Sequence, residues 1–387
     1  MEPVVLGIVV EFNPYHLGHQ YFISQAKALI NPNVMIAITS TSFSMRGEIA
    51  IVDKFTKTEQ MLAEGIDIVL ELPCAKSVQS ADFFAYHAIK TLSQMQITDL
   101  AFGVENEDIA LLYQLLTIIQ TPDFQKHLQI ALKTYTSYKR AYTQAFEKSG
   151  TSSELIALFN QPNVTLALQY LKAIQDLKLD VKIHPLKRMG SHYHDTAITH
   201  RFASAGAIRR ALRSGKDISE YVPESTLKLS FVDQALAEER LFSLLQYAML
   251  VKNPNYGEFF GLSEGIENYL RQHLRNATSY SDFLERIKNK RYSISKCQRI
   301  FFYLLWELPK KFDQFHPYLR ILGFTVRGEK YLNTLPKETK GEILTSLKHS
   351  KNPIGLIELK ATQLYEILTQ KQGLTQKEFL IPLKRKD

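Results

Sequence analysis

Cysteine is nearly absent: Cys74 and Cys297 are the only two in 387 residues. They are too few and too far apart for a disulfide framework or a cysteine-based metal site. With 17 glycines and 14 prolines, collagen-like and low-complexity classes are excluded. Long apolar runs are missing too, and segments such as 300–306 fall far short of the roughly 20 residues a membrane helix needs. At the N-terminus Glu2 stands where a signal peptide has basic residues, and the apolar stretch 4–10 is cut off by Asn13-Pro14. The expectation is a cytoplasmic protein of the reducing compartment with no membrane association. What is present, 45% hydrophobic and 22% charged residues, suits an ordinary globular chain whose length suggests two domains.

Basic residues outnumber acidic ones in two places. Residues 1–215 hold 20 Lys and Arg against 19 Asp and Glu, whereas 216–387 hold 27 against 20, so the net charge of +8 sits almost wholly in the second part. A basic region with interleaved aromatics is suited to a polyphosphate backbone. Between His184 and Arg213 lie Lys187, Arg188, Arg201, Arg209, Arg210 and Arg213 with Asp195 as the only acid, a density that points to a polyanion site.

The first part alternates short apolar runs with helical periodicity. Strands are expected over 4–10, 34–39, 66–71, 99–104 and 181–186, and helices over 19–29, 54–64 and 81–94. That order predicts an α/β class: a Rossmann-like parallel sheet covered by helices, with a helical insertion over about 122–160. From about 228 the pattern is mainly α-helical, with candidates at 231–251, 267–275, 281–289 and 294–306. The expected domains are 1–217, catalytic, and 218–387, helical and basic.

The most informative residues are Gly7, Ile8, Val9, Val10, Glu11, Phe12, Asn13, Pro14, Tyr15, His16, Leu17, Gly18, His19 and Gln20. An apolar strand ends in a proline turn, and an HxGH pattern opens a helix at the first β–α junction, where open parallel sheets bind ligands. Gly18 permits close backbone approach, free N–H groups of the helix start would face an anion, and His16 and His19 could donate to phosphate oxygens. This reads as an ATP site with the two histidines as electrostatic stabilisers of attack at the α-phosphate. The competing reading, two histidines that merely cap a helix, is outweighed by that context. Ser204 and Arg209, in a small-residue helix start, form a second candidate phosphate contact. His192 and His194 have no companion ligands at zinc spacing, so no metal site is assigned. Mg²⁺ is expected only as the companion of ATP.

These segments resemble the bacterial tRNA(Met) cytidine acetate ligase family. The resemblance is carried by GIVVEFNPYHLGH at 7–19, RGEIAIVDK at 46–54, GIDIVLELP at 65–73, SADFFA at 80–85, FGVE at 102–105, PNVTLALQYLKA at 162–173, KRMGSHYHD at 187–195 and SAGAIR at 204–209. It covers the first 215 residues; the remainder is assigned by position. The resemblance implies an HxGH nucleotidyltransferase domain followed by a helical tRNA-binding domain. It implies that ATP and acetate form acetyl-adenylate, and that the acetyl group passes to N4 of the wobble cytidine of elongator tRNA(Met). It further implies ATP contacts from the 7–20 segment, Gly103, Asn163 and Arg188. Ile49, Val104, Val164 and Gly206 depart from the family pattern, near the adenine and ribose side of the site.

Two other readings use the same residues. An adenylyltransferase for a small cofactor precursor would keep the HxGH chemistry, yet would not need about 170 extra residues with a net charge of +7. A non-enzymatic RNA-binding protein would not need both histidines.

Overall fold

The computed structural model describes residues 3–135, 138–189, 202–262, 265–289, 291–314 and 318–385. Five parallel strands form the centre: β1 (Val5–Val10), β2 (Val34–Ser40), β3 (Ile68–Leu72), β4 (Asp99–Val104) and β5 (Lys182–Lys187). Their spatial order is β5-β4-β1-β2-β3, so β1 lies in the middle, where the strand order reverses. All residues of β2 and β3 are buried, which is why both open on apolar runs rather than alternating ones; the polar exceptions, Thr39, Ser40 and Glu71, lie toward their carboxyl ends. The helices Leu17–Ile30, Lys54–Ala63, Ala81–Gln94 and Val164–Asp176 cover the sheet, and Pro122–Thr134, Tyr138–Lys148 and Ser153–Phe159 make up the helical insertion. Each expected strand and sheet-covering helix is present within a few residues of its expected bounds.

The sheet does not stop at the expected boundary near residue 217. A further strand, β6 (Leu319–Thr325), pairs antiparallel with β3, through Ile68↔Phe324 and Val69↔Gly323. Two short strands, β7 (Ile343–Leu344) and β8 (Leu383–Arg385), then pair with β6. Leu319 and Ile321 belong to the same apolar core as Ile36, Ile68 and Leu70. The chain therefore returns to its first layer after the helices Gln234–Gln246, Ile266–Asn276, Tyr280–Arg286 and Ile294–Trp306.

Those helices build a second core, and it too crosses the boundary: Phe43, Ile49, Cys74 and Val78 pack with Leu241, Phe301, Phe302 and Trp306. Phe43 lies 4.3 Å from the Phe302 ring centroid and 5.4 Å from that of Trp306. Beneath this junction is a cluster of buried charge. Lys54 Nζ lies 2.6 Å from Glu71, 2.9 Å from Glu358 and 2.6 Å from Glu378, and Arg320 pairs with Glu71 and Glu378. Among the described residues no helix is long and apolar enough to cross a membrane.

Candidate functional site

The carboxyl end of β1 opens into a cavity of about 600 Å³, within the usual range for small-molecule sites. Five cationic side chains line it, Arg46, Lys139, Lys187, Arg188 and Arg209, against the carboxylates Glu11 and Glu48. That balance suits a polyanion.

At the turn after β1, Phe12 adopts a left-handed backbone (φ 44°) and the chain reverses into the Leu17–Ile30 helix. His16 is its N-cap, and its Nδ1 accepts the Gly18 N–H at 3.1 Å, so a neutral ring carries its proton on Nε2. The His16 and His19 rings stack with centroids 3.6 Å apart. Phe12 packs on the other side of His19 at 4.5 Å. Burial, followed by the charge of Arg188, pushes His16 down to about 3. His19 is held well below its ordinary value by burial, His16 and Arg188. Both rings are therefore neutral at pH 7, and His19 Nδ1 is buried without a hydrogen-bond partner among the described residues. A buried, unpaired imidazole nitrogen is costly unless a ligand completes it.

The start of this helix is not the open anion cradle the sequence suggested. Leu17 N–H donates to the Tyr221 carbonyl, Gly18 N–H to His16 Nδ1, and the His19 and Gln20 N–H groups to the His16 carbonyl. Its first four donors are taken, so the groups this turn leaves facing the cavity are the two imidazoles. Gly18 serves the ring: a Cβ there would lie 3.0 Å from His16 Cε1. The open cradle lies instead at the Ala205–Arg213 helix. There Ser204 caps Ala207 N–H at 3.2 Å, and the Ala205 and Gly206 N–H groups have no acceptor among the described residues. Ser204, Ala205 and Gly206 all line the cavity.

Of the 7–20 segment, Val9, Val10, Glu11, Phe12, Asn13, His16, Gly18 and His19 face the cavity, whereas Gly7, Ile8, Pro14, Tyr15, Leu17 and Gln20 do not. Gly7 instead leaves room for Ile97 and Leu92, and Tyr15 and Gln20 hydrogen-bond Glu64. Asn13 is fixed by accepting the Ile51 N–H at 2.8 Å, which leaves its buried Nδ2 unpaired.

On the opposite wall Gly103, Asn163 and Arg188 come together. A Cβ on Gly103 would lie 3.0 Å from Arg188 Cγ. Asn163 Nδ2 donates to Glu105 at 2.6 Å, and Arg188 donates to Asn163 Oδ1 at 3.4 Å. Arg209 does not offer a free guanidinium: it donates to the Asn13 carbonyl at 2.8 Å and pairs with Glu48. Its expected phosphate role gives way to holding the 11–14 turn against the 44–48 loop.

Sequence reasoning left that loop without a role, yet Ser44, Met45, Arg46 and Glu48 line the cavity, and Met45 N–H donates to Glu11 at 2.7 Å. Lys139 and Tyr170 also face it. Lys139 comes from the helical insertion, whose apolar spacing gave no hint of a neighbouring site. His192, His194, Asp195 and Arg201 lie outside the described residues. Among the described residues no three His, Cys, Asp or Glu side chains gather in a metal-holding group.

A family model described as HIGH Nucleotidyl Transferase matches residues 4–378. A tRNA(Met) cytidine acetate ligase from Fervidobacterium nodosum is 33% identical over 90% of this chain and 85% of its own. One from Listeria monocytogenes is 35% identical over 97% of this chain and 98% of its own. The crystal structure of Thermotoga maritima TmcAL in its apo form superposes with a TM-score of 0.85 at 30% identity, covering 99% of this chain and all of the other. A second structure of that protein, bound with alpha-thio ATP, gives the same TM-score at 29% identity.

Proposed function

The chain belongs to the HIGH nucleotidyl transferase family and within it to the tRNA(Met) cytidine acetate ligases, and from that premise we propose how its cavity performs the reaction. The enzyme is an ATP-dependent ligase that activates acetate as acetyl-adenylate and acetylates N4 of the wobble cytidine, C34, of elongator tRNA(Met). The observation that carries the assignment of residues is the stacked, neutral His16–His19 pair, with His19 Nδ1 left unpaired in a cavity lined mainly by cations.

An acetate oxygen attacks the α-phosphorus, the bond to the bridging oxygen breaks, and pyrophosphate leaves. His16 and His19 donate to the oxygens on which charge develops, and the ATP phosphates in turn draw protons onto rings that are otherwise hard to charge. The Ala205 and Gly206 N–H groups and Arg188 take further phosphate oxygens. Asn163, fixed by Glu105, orients Arg188, and Gly103 leaves it room. Mg²⁺ accompanying ATP would neutralise charge on its phosphates. Asn13 Nδ2 is a fixed donor for a substrate oxygen.

In the second step N4 of cytosine attacks the acyl carbon, AMP departs, and the N4 proton is lost to solvent. Orientation supplies the rate, since bringing two bound reactants together is worth up to about 7–11 kcal/mol. No cysteine carries the acyl group. Cys74 and Cys297 are both buried, and burial raises both thiols, Cys297 to about 11. Acting on tRNA with ATP suits a cytoplasmic protein.

Radiolabelled acetate incubated with the enzyme and elongator tRNA(Met) should appear in N4-acetylcytidine only when ATP is present. Acetate-dependent pyrophosphate release without label in the RNA would reassign the acceptor. A small cofactor as acceptor is the form that result would take, and the same assay with RNA omitted distinguishes it.

A further inference from the structure

One helical turn beyond the cavity lies a group of basic side chains that the reaction above does not use. Lys76 sits on the short Cys74–Ser77 helix that follows β3. His87 and Lys90 lie on the Ala81–Gln94 helix, whose residues Ala81 and Phe84 line the cavity. Lys76 is only 8% exposed and His87 only 7%. Among the described residues Lys76 Nζ has no hydrogen bond or ion pair, and the His87 ring meets the Phe83 and Tyr86 rings, at 4.4 and 5.5 Å. Lys90 is exposed and lies 5.9 Å from the centre of the Tyr86 ring.

Lys76 and His87 are both depressed by burial and by neighbouring ammonium groups. Burial and then Lys90 push Lys76 down to about 8, while burial followed by Lys76 and Lys90 pushes His87 down to about 3. This arrangement differs from the rest of the interior. Lys54 is still more deeply buried but meets three carboxylates, and Lys57 donates to the Glu11 and Ser40 carbonyls at 3.0 Å. A buried ammonium without a partner costs stability. An anion that completes it recovers that cost at the moment of binding.

We propose that Lys76, His87 and Lys90 form a phosphate site for the RNA backbone, holding the anticodon-loop segment next to the base that enters the cavity. The inference rests on the tRNA reading and adds a binding surface on the catalytic layer, apart from the basic C-terminal helices. RNA is favoured over a small anion on two observations. From Phe84 to Lys90 the helix rises only roughly 9 Å, which places the site at the cavity's flank. Half-buried Phe83 and Tyr86 also pack beside His87, and Tyr86 beside Lys90, as in sites where bases stack on aromatics beside phosphate contacts.

The test measures tRNA(Met) affinity against salt for the full-length enzyme and for Lys76→Gln, Lys90→Gln and the double variant. Each substitution should weaken binding by about three- to tenfold at physiological salt and flatten the salt dependence by about one counterion. Acetate-dependent ATP–pyrophosphate exchange without RNA should be unchanged. Lys76→Met, which keeps the buried aliphatic volume, guards against loss of packing. Exposed Lys90→Gln reads the site without disturbing the core. Wild-type affinity and salt slope in the double variant would overturn the proposal. So would inorganic phosphate raising the Tm of the wild type but not of the double variant while both bind tRNA equally, because the site would then serve a free anion. A wild type that binds tRNA but acetylates none would remove the ligase reading and leave this site to the affinity data; a wild type that binds none would overturn both.

Discussion

Two regions of this molecule concentrate polar groups in low-dielectric surroundings, and they treat them in opposite ways. In the cluster beside β3 and β6, charges are spent on one another: Lys54 meets Glu71, Glu358 and Glu378, and Arg320 meets Glu71 and Glu378. Thr41, Thr362, Tyr318 and the Cys74 N–H take remaining carboxylate oxygens, and Arg320 Nε alone is left over. Burial by itself would raise Glu71, but Arg320 and Lys54 overrule it and hold that carboxyl below its ordinary range. In the catalytic cavity the groups are left open. His16 and His19 are neutral, His19 Nδ1 and Asn13 Nδ2 have no partner, and two N–H groups of the Ala205–Arg213 helix have no acceptor among the described residues. Satisfied polar groups hold the fold, whereas unsatisfied ones store the means of binding a substrate.

Breaking the cluster should cost the most. In Lys54→Met Glu71 and Glu378 would share Arg320 while Glu358 would lose its cation, and removing one partner of a buried ion pair costs about 3–5 kcal/mol, a large part of a domain's stability. Chemical denaturation should show that loss as a lower midpoint. An unchanged midpoint would mean that the cluster is not what joins β3, β6 and the Pro353–Thr369 helix. His16→Ala tests the other region. Adenylate formation, read by acetate-dependent pyrophosphate exchange, should fall by about 10²–10³, while tRNA affinity and the unfolding midpoint stay near wild type. A parallel loss of all three would place His16 with the structural groups.

The contrast also separates what could be read from the sequence from what could not. Strands β1 to β5 and the HxGH helix were legible because their signals are local: apolar runs of strand length, a proline turn and a helix start within some fourteen residues. Strand β6 was not, since Leu319–Thr325 follows a long helical stretch and finds its partner, β3, about 250 residues earlier in the chain. The ion cluster was hidden for the same reason. Lys54 and Glu358 read as surface charges until the fold buries them together, and no spacing marks a contact across 304 residues. In the site, residue identity was legible but donor occupancy was not. The occupied N–H groups of the Leu17–Ile30 helix depend on Tyr221 and on the rotamer of His16, and Arg209 depends on Glu48.

Acid sharpens the comparison with a smaller effect. An ordinary histidine titrates near 6.5, and buried His16 near 3, so between those values the unfolded chain binds a proton that the folded chain refuses. The stability contributed by this site is full above pH 6.5 and is lost as pH falls toward 3. A non-hydrolysable ATP analogue should reduce the loss, because its phosphates favour the protonated ring. The Tm measured from pH 7 to pH 4 with and without the analogue checks this, and curves that stay parallel would separate the imidazoles from the phosphates.

Gly18→Ala should perturb the fold least, because it moves a site residue without altering any charge. Its backbone is not in the left-handed region, the Gly18 N–H that holds His16 Nδ1 is retained, and alanine is the better helix former by about 0.5–1 kcal/mol in a helix interior. The new methyl would nevertheless lie 3.0 Å from His16 Cε1 and 3.1 Å from Nδ1. The ring cannot retreat freely, since His19 is stacked on it at 3.6 Å. It must turn by a few tenths of an ångström, away from the direction in which its Nε2–H would meet a phosphate oxygen. Because small misplacements of a catalytic group are costly, pyrophosphate exchange should fall by about tenfold while the Tm shifts by no more than about 2 °C. Full exchange activity would mean that the imidazole pair tolerates rotation and acts through its charge on binding rather than through a fixed donor direction.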